Sequence, residues 1–154
     1  MSSPPPPVSD LTTHLGFWLR MVSNHVSQGF AAKLADRDVT VAEWALMRAL
    51  YGMKPTPPSR LADEMGMTRG AITKLADRLI AKALVLREAN PNDGRAQTLA
   101  LTQRGSDLVP QLAALADCND AEFFGCLTAP ERETLKHLLK SLAERGSMTT
   151  IPIE

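Results

Sequence analysis

Between Leu84 and Thr102 the chain changes its period. On either side, apolar residues recur every three or four positions. Within LVLREANPNDGRAQTLALT they alternate instead, Val85 and Arg87 before a tip and Leu99 and Leu101 after it, with Gln97 and Thr98 between. A period of two belongs to strands and one near 3.6 to helices. Pro91, Asn92, Asp93 and Gly94 are four turn-forming residues in a row. The stretch therefore predicts two strands of about five residues joined as a hairpin. Elsewhere Leu and Ala dominate and aromatics are only 5% of the chain, which favours helices over a β-sandwich. The expected class is mainly α with one small β-hairpin. At 154 residues, 44% of them hydrophobic, the chain suffices for one domain, or one domain plus extra helices.

The helical segments carry their own boundaries. Leu11, Leu15, Trp18, Val22, Val26, Phe30 and Leu34 predict one long amphipathic helix over residues 10–36. Thr40 with Glu43 reads as a capping box opening a second helix through Trp44, Met47, Leu50 and Tyr51, and GMKPTPP closes it. A short helix follows, with Pro57 in its first turn. Gly66 breaks it, and Thr68 caps a further helix from Arg69 to Lys82 with Ile72, Leu75, Leu79 and Ile80 inward. After the hairpin, a helix is expected over about residues 103–125, kinked or delayed by Pro110. Thr128 and Glu131 form a second box before a last helix lined by Leu135, Leu138, Leu139 and Leu142. Residues 1–9, rich in proline, read as a disordered leader, and 146–154 as a loose tail.

The centre, SRLADEMGMTRGAITKLADRLIAKA, is two helices around a Gly-containing turn, the helix-turn-helix pattern whose second helix enters a DNA major groove. Thr68, Arg69, Gly70, Thr73 and Lys74 give that helix a small, donor-rich, basic N-terminal face. Arg pairs with guanine edges, the Thr methyl meets thymine, and Lys meets phosphate. The whole chain has net charge zero, but residues 54–105 hold nine basic and five acidic residues, leaving eight basic and twelve acidic outside. A basic middle suits a polyanion. The hairpin tip adds Arg95, two residues after Asp93. An inserted guanidinium is attracted to the narrow, negative minor groove, and a carboxylate beside it fixes its direction.

On these residues the chain resembles the multiple-antibiotic-resistance regulator (MarR) family of bacterial winged-helix transcription factors. The likeness lies in TVAEWALMRAL, RLADEMGMTRGAITKLADRLIAKALV, NDGRAQTLALTQRG and LTAPERETLKHLLKSL, and covers nearly the whole chain after the leader. It implies a winged helix-turn-helix domain over residues 40–102, flanked by dimerisation helices at 10–36 and 103–145. It further implies a homodimer bound to a pseudo-palindromic double-stranded DNA operator, most often as a repressor, with helix 69–82 as the recognition helix and Asp93 and Arg95 as the wing pair. Arg60, Lys82 and Arg87 are candidate phosphate contacts. One departure is Ala83, where the family usually has glycine. A left-handed residue there costs Ala roughly 1 kcal/mol more than Gly, so either the helix ends differently or the strain is accepted.

The resemblance also implies a small aromatic carboxylate or phenolic effector. His14, Trp18, Arg20, Trp44, Met47, Arg48 and Tyr51 offer aromatic walls with cationic groups for it, although Trp18, Met47 and Tyr51 also stand at core spacing. Cys118 and Cys126 lie too far apart along a helix for an intrachain disulfide, and buried or inert thiols are expected. His14, His25 and His137 are scattered, so no metal and no cofactor is expected. There is no catalytic triad, phosphate-cradling glycine loop or paired-carboxylate cleft, which argues against an enzyme. With no secretory leader and no membrane span, the expected compartment is the bacterial cytoplasm, on the nucleoid when DNA-bound. The alternative is a winged-helix module that binds ligand or protein and not DNA.

Overall fold

The computed structural model describes residues 1–90 and 93–153, and of residues 90 and 93–95 the backbone alone. Among the described residues, six helices and one hairpin follow in the order α1 (Leu15–Ala35), α2 (Val41–Leu50), α3 (Pro58–Met65), α4 (Arg69–Ala81), β1 (Val85–Asn90), β2 (Asp93–Leu101), α5 (Gln103–Phe124) and α6 (Ala129–Arg145). None of these helices is long and apolar enough to cross a membrane.

Local chemistry sets the boundaries, sometimes differently from expectation. The first helix starts later than residue 10. Leu11–Thr13 form a 3-10 turn, His14 is extended at φ −92°, and Trp18 Nε1 donates to the Thr12 carbonyl at 2.9 Å. At α2 the capping box is half formed. Thr40 Oγ1 accepts the Glu43 N–H at 3.1 Å, but the Glu43 carboxylate does not return to Thr40. It lies buried against the Lys82 ammonium at 2.9 Å. The complete box is at α6, where the Thr128 N–H donates to Glu131 Oε1 at 3.0 Å and the Glu131 N–H to Thr128 Oγ1 at 3.3 Å. In α3 it is Pro58 that takes the first helical position, with Pro57 as N-cap. Gly66, at φ +66°, closes that helix in the left-handed conformation that glycine adopts without a Cβ penalty. Pro110 does not delay α5, which Thr102 caps at its start through the Gly105 N–H. Pro110 itself is exposed and Ser106, whose carbonyl loses its helix donor there, is only half-buried.

The hairpin is antiparallel, with Val85 opposite Leu101, Arg87 opposite Leu99 and Ala89 opposite Gln97, and a register shift after Ala89. Its strands span six and nine residues, longer than expected. Thr56 adds one rung on the other side of β2, donating to and accepting from Leu99 at 2.9 and 2.8 Å. Pro55 and Pro57 flank it and have no N–H to extend the ladder. The core forms where α2, α3, α4, the hairpin and the start of α5 meet, around fully buried Leu46, Met47, Leu61, Ile72, Leu79, Leu99 and Leu112. The outer helices differ. α6 buries no residue, and Leu138, Leu139 and Leu142 are 41–57% exposed. Leu15, Trp18, Leu19 and Val22 on α1 are exposed as well.

The tail is not loose throughout. The Met148 N–H donates to the Ala143 carbonyl at 3.0 Å, and the Ile151 N–H reaches the Met65 carbonyl at 3.2 Å. Thr150 lies so close to Gly66 that a Cβ there would stand 2.9 Å from its Cα. Thr150 and Ile151 thus return to the end of α3.

Candidate nucleic-acid interface

α4 presents two chemically distinct faces. Ile72, Leu75, Ala76 and Leu79 are buried, while Thr68, Arg69, Gly70, Thr73 and Lys74 are all exposed. Thr68 Oγ1 accepts the Ala71 N–H at 3.1 Å, which fixes the start of the helix and leaves its own proton free to donate outward. Thr73 Oγ1 donates to the Arg69 carbonyl at 2.9 Å. A Cβ added to Gly70 would meet nothing nearer than Thr68 Oγ1 at 4.0 Å, so packing within the chain does not require a glycine there. Among the described residues neither Arg69 nor Lys74 enters an ion pair. The exposed face of the first two turns of α4 therefore offers two cations, two hydroxyls and a side-chain-free gap.

The hairpin is aimed by the turn that follows α4. Ala83 is left-handed at φ +59°, so the strain that its residue type implies is accepted. Three bonds hold the turn: Thr102 Oγ1 donates to the Ala83 carbonyl at 2.8 Å, the Thr102 N–H to the Leu84 carbonyl at 3.0 Å, and Arg104 to the Lys82 carbonyl at 3.1 Å. Gly105 lets α5 pass directly over Leu84, whose carbonyl oxygen would lie 2.1 Å from any Cβ there. The LT..G spacing of the sequence is thus the latch between α4, the hairpin and α5. Arg87 of β1 ties the hairpin to α4 through Asp77 at 2.8 Å.

The three candidate phosphate contacts divide. Arg60 is exposed, in an i,i+4 pair with Glu64 at 2.9 Å that solvent screens. Arg87 is held by Asp77. Lys82 is engaged inside the lobe. Its ammonium donates to Glu43 Oε2 at 2.9 Å and to the Asp38 carbonyl at 2.6 Å, neutralising a carboxylate that is 1% exposed. It belongs to the packing of α4 on α2. The side chains of Asp93 and Arg95 lie outside the described residues. Two polar residues that sequence reasoning left out, Ser59 and Gln97, are exposed and line a groove with Arg69 and Thr73. A signal existed for Gln97, since alternation places it on the face of Leu99, beside α4.

The seven effector candidates are not brought together. Met47 is fully buried in the core. His14 and Arg20 line a hollow at the start of α1, while Arg48 stacks over Tyr51, 5.8 Å from the ring centre. Trp18 packs edge-on against Phe17. Only Trp44 reaches the cleft between α1, α2 and α5, about 270 Å³ in volume, with Val26, Phe30, Val41, Asn119 and, from the tail, Pro152. Above it Asn119 is buried, donating to the Val26 carbonyl at 3.1 Å and accepting from Lys33 at 3.0 Å. Lys33 also pairs with Glu122 at 2.8 Å, and its hydrogen bond, followed by that of the Cys118 thiol, holds the Glu122 carboxyl below its ordinary value. Both cysteines are free and exposed, so of the expected buried or inert thiols the buried alternative does not hold.

Comparison with known proteins agrees with this arrangement. A model of the MarR family matches residues 37–96. The multiple antibiotic resistance protein MarR of Escherichia coli is 30% identical over 129 residues, covering 83% of this chain and 90% of that protein. A crystal structure of a mutant of that protein complexed with operator DNA superposes with a TM-score of 0.73 at 30% identity, covering 83% of this chain and 92% of the other. A MarR family protein of Mycobacterium tuberculosis, solved in complex with p-aminosalicylic acid, superposes at 0.65 with 25% identity, covering 84% and 98%.

Proposed function

The chain belongs to the MarR family, and from that premise we propose a DNA-binding transcriptional repressor that grips a pseudo-palindromic operator as a homodimer. The observation that carries this reading is the N-terminal half of α4, where Thr68, Arg69, Gly70, Thr73 and Lys74 face solvent on a helix whose opposite side is locked into the core. Arg69 and Thr73 meet base edges in the major groove, and Lys74 and Arg60 meet phosphates. Arg95, directed by Asp93, enters the flanking minor groove. Residues 40–102 form the reading domain. The exposed leucines of α6 and the apolar stripe of α1, within 10–36 and 103–145, close on a second copy. Two recognition helices then meet half-sites about 10 base pairs apart, centre to centre.

The cleft at Trp44 is the effector site of this reading. Aromatic and aliphatic walls with a buried amide suit a small aromatic carboxylate or phenol, the class to which the ligand of the Mycobacterium tuberculosis relative belongs. Its binding favours a dimer whose helix spacing no longer fits the operator. The protein works by binding, not by catalysis, in the bacterial cytoplasm where the chromosome lies. A fluorescence-anisotropy titration of an operator selected from random duplexes, at two salt concentrations, tests the reading. Tight binding that falls steeply with salt and is not matched by an unrelated duplex is expected. Equal, weak binding to both duplexes would contradict it.

A further inference from the structure

With α4 in the major groove and the hairpin tip in the neighbouring minor groove, one DNA strand must cross between them, because a sugar-phosphate ridge separates any two adjacent grooves. The gap it has to cross is a groove of about 450 Å³ between α3, α4 and β2, lined by Ser59, Arg69, Thr73, Asp77, Arg87 and Gln97. Among the described residues its one acid, Asp77, is neutralised by Arg87 at 2.8 Å, which leaves Arg69 as the uncompensated charge there. Gln97 stands opposite Ala89 in the hairpin register, two residues out from buried Leu99 and on the same face. Ala89 is too small to cover it. At the other wall, α3 opens with Pro57 and Pro58, neither of which has an N–H, so Ser59 supplies the first backbone donor as well as a hydroxyl.

We propose that this groove seats the phosphates of the strand between the two DNA grooves, held by the Gln97 amide and the Ser59 hydroxyl beside Arg69. The inference rests on the DNA-binding reading above and assigns two residues which that reading leaves idle. An amide and a hydroxyl donate to phosphate oxygens without releasing counterions. The grip therefore contributes affinity independent of base sequence and leaves the salt dependence unchanged.

The experiment titrates the wild-type chain, Gln97→Ala, Ser59→Ala and the isosteric Gln97→Glu against the selected operator and an unrelated duplex. Each operator titration is repeated with duplexes carrying one neutral methylphosphonate at successive positions of the crossing strand. Gln97→Ala is expected to bind about 10–100-fold more weakly on both duplexes, the loss of one hydrogen bond to a charged group. Its salt slope should match the wild type. Ser59→Ala should lose less, and Gln97→Glu, which sets a carboxylate against phosphate, should lose the most. At one methylphosphonate position the Gln97→Ala loss should vanish. Gln97→Ala binding within twofold of wild type overturns the proposal, as does a loss confined to the operator and tied to one base pair, which would make Gln97 a base reader. A wild type that prefers no duplex overturns the DNA-binding reading itself.

Discussion

α4 and α6 are both amphipathic, both threonine-capped and both lined by leucines, yet they end in opposite states. α4 buries Ile72, Leu75, Ala76 and Leu79 against its own chain, whereas α6 buries nothing and leaves Leu142 57% exposed. The difference teaches that a helical apolar stripe announces burial without naming the partner. The reading lobe is finished within one chain, whereas under the proposed homodimer the terminal helices are finished by a second. That division suits a regulator, since the lobe stays rigid while the spacing between two lobes can change.

The largest expected effect tests the first half of that contrast. Leu79→Ala should cost about 2–5 kcal/mol in urea denaturation. Leu142→Ala should cost the dilute, dissociated chain less than about 0.5 kcal/mol and appear instead as weaker self-association in sedimentation. Equal costs in the dissociated chain would erase the distinction. Next, Lys82→Met strands the Glu43 carboxylate and should cost about 3 kcal/mol, while Arg60→Ala, which breaks an exposed pair, should stay within about 0.5 kcal/mol. Matching losses would mean that Lys82 is not part of the lobe's interior.

Arg69→Ala and Arg95→Ala should each weaken operator binding by about 1–3 kcal/mol in direct titration, with dimerisation unchanged. A fall in self-association with either would mix the two regions that the comparison separates. Ala83→Gly removes the left-handed strain at φ +59° and should raise the unfolding free energy by about 0.5–1 kcal/mol; a loss would show that the Thr102 and Arg104 bonds depend on alanine there. The smallest effect is at Glu131, whose carboxyl is held below its ordinary value of 4.5 by the Thr128 backbone N–H first and its hydroxyl second. A depressed folded value means that the carboxylate stabilises the cap above pH 4.5 and that this is lost as pH falls through the lower, folded value. Glu131→Gln should flatten that part of the acid-unfolding curve.

Much of the reading lobe was legible because local rules and tertiary contacts agree there. Thr68 caps, Gly66 turns, and the alternation from Val85 to Leu101 pairs as an antiparallel hairpin. Legibility failed where a distant residue decided the outcome. Glu43 looked like half of a capping box because Thr40 stands three residues before it, but an ammonium 39 residues away claims its carboxylate. The same contact places the ammonium of Lys82, a candidate phosphate contact, on Glu43 and the Asp38 carbonyl, which its own neighbours in sequence do not announce. Trp44 lies on α2 and Tyr51 at its C-cap, but α1 and α5 leave only Trp44 on the cleft. The tail gave no periodic signal, and its attachment to Met65 is a single backbone bond that any residue but proline can make.

The most direct test is sedimentation of the protein alone and with duplexes carrying either the whole selected operator or one half of it. A dimer at micromolar concentration, two chains on the whole operator and a large loss of affinity on the half-site are predicted. A monomer in solution that binds the half-site singly and as tightly as the whole would contradict the claim that the terminal helices are completed by a second chain.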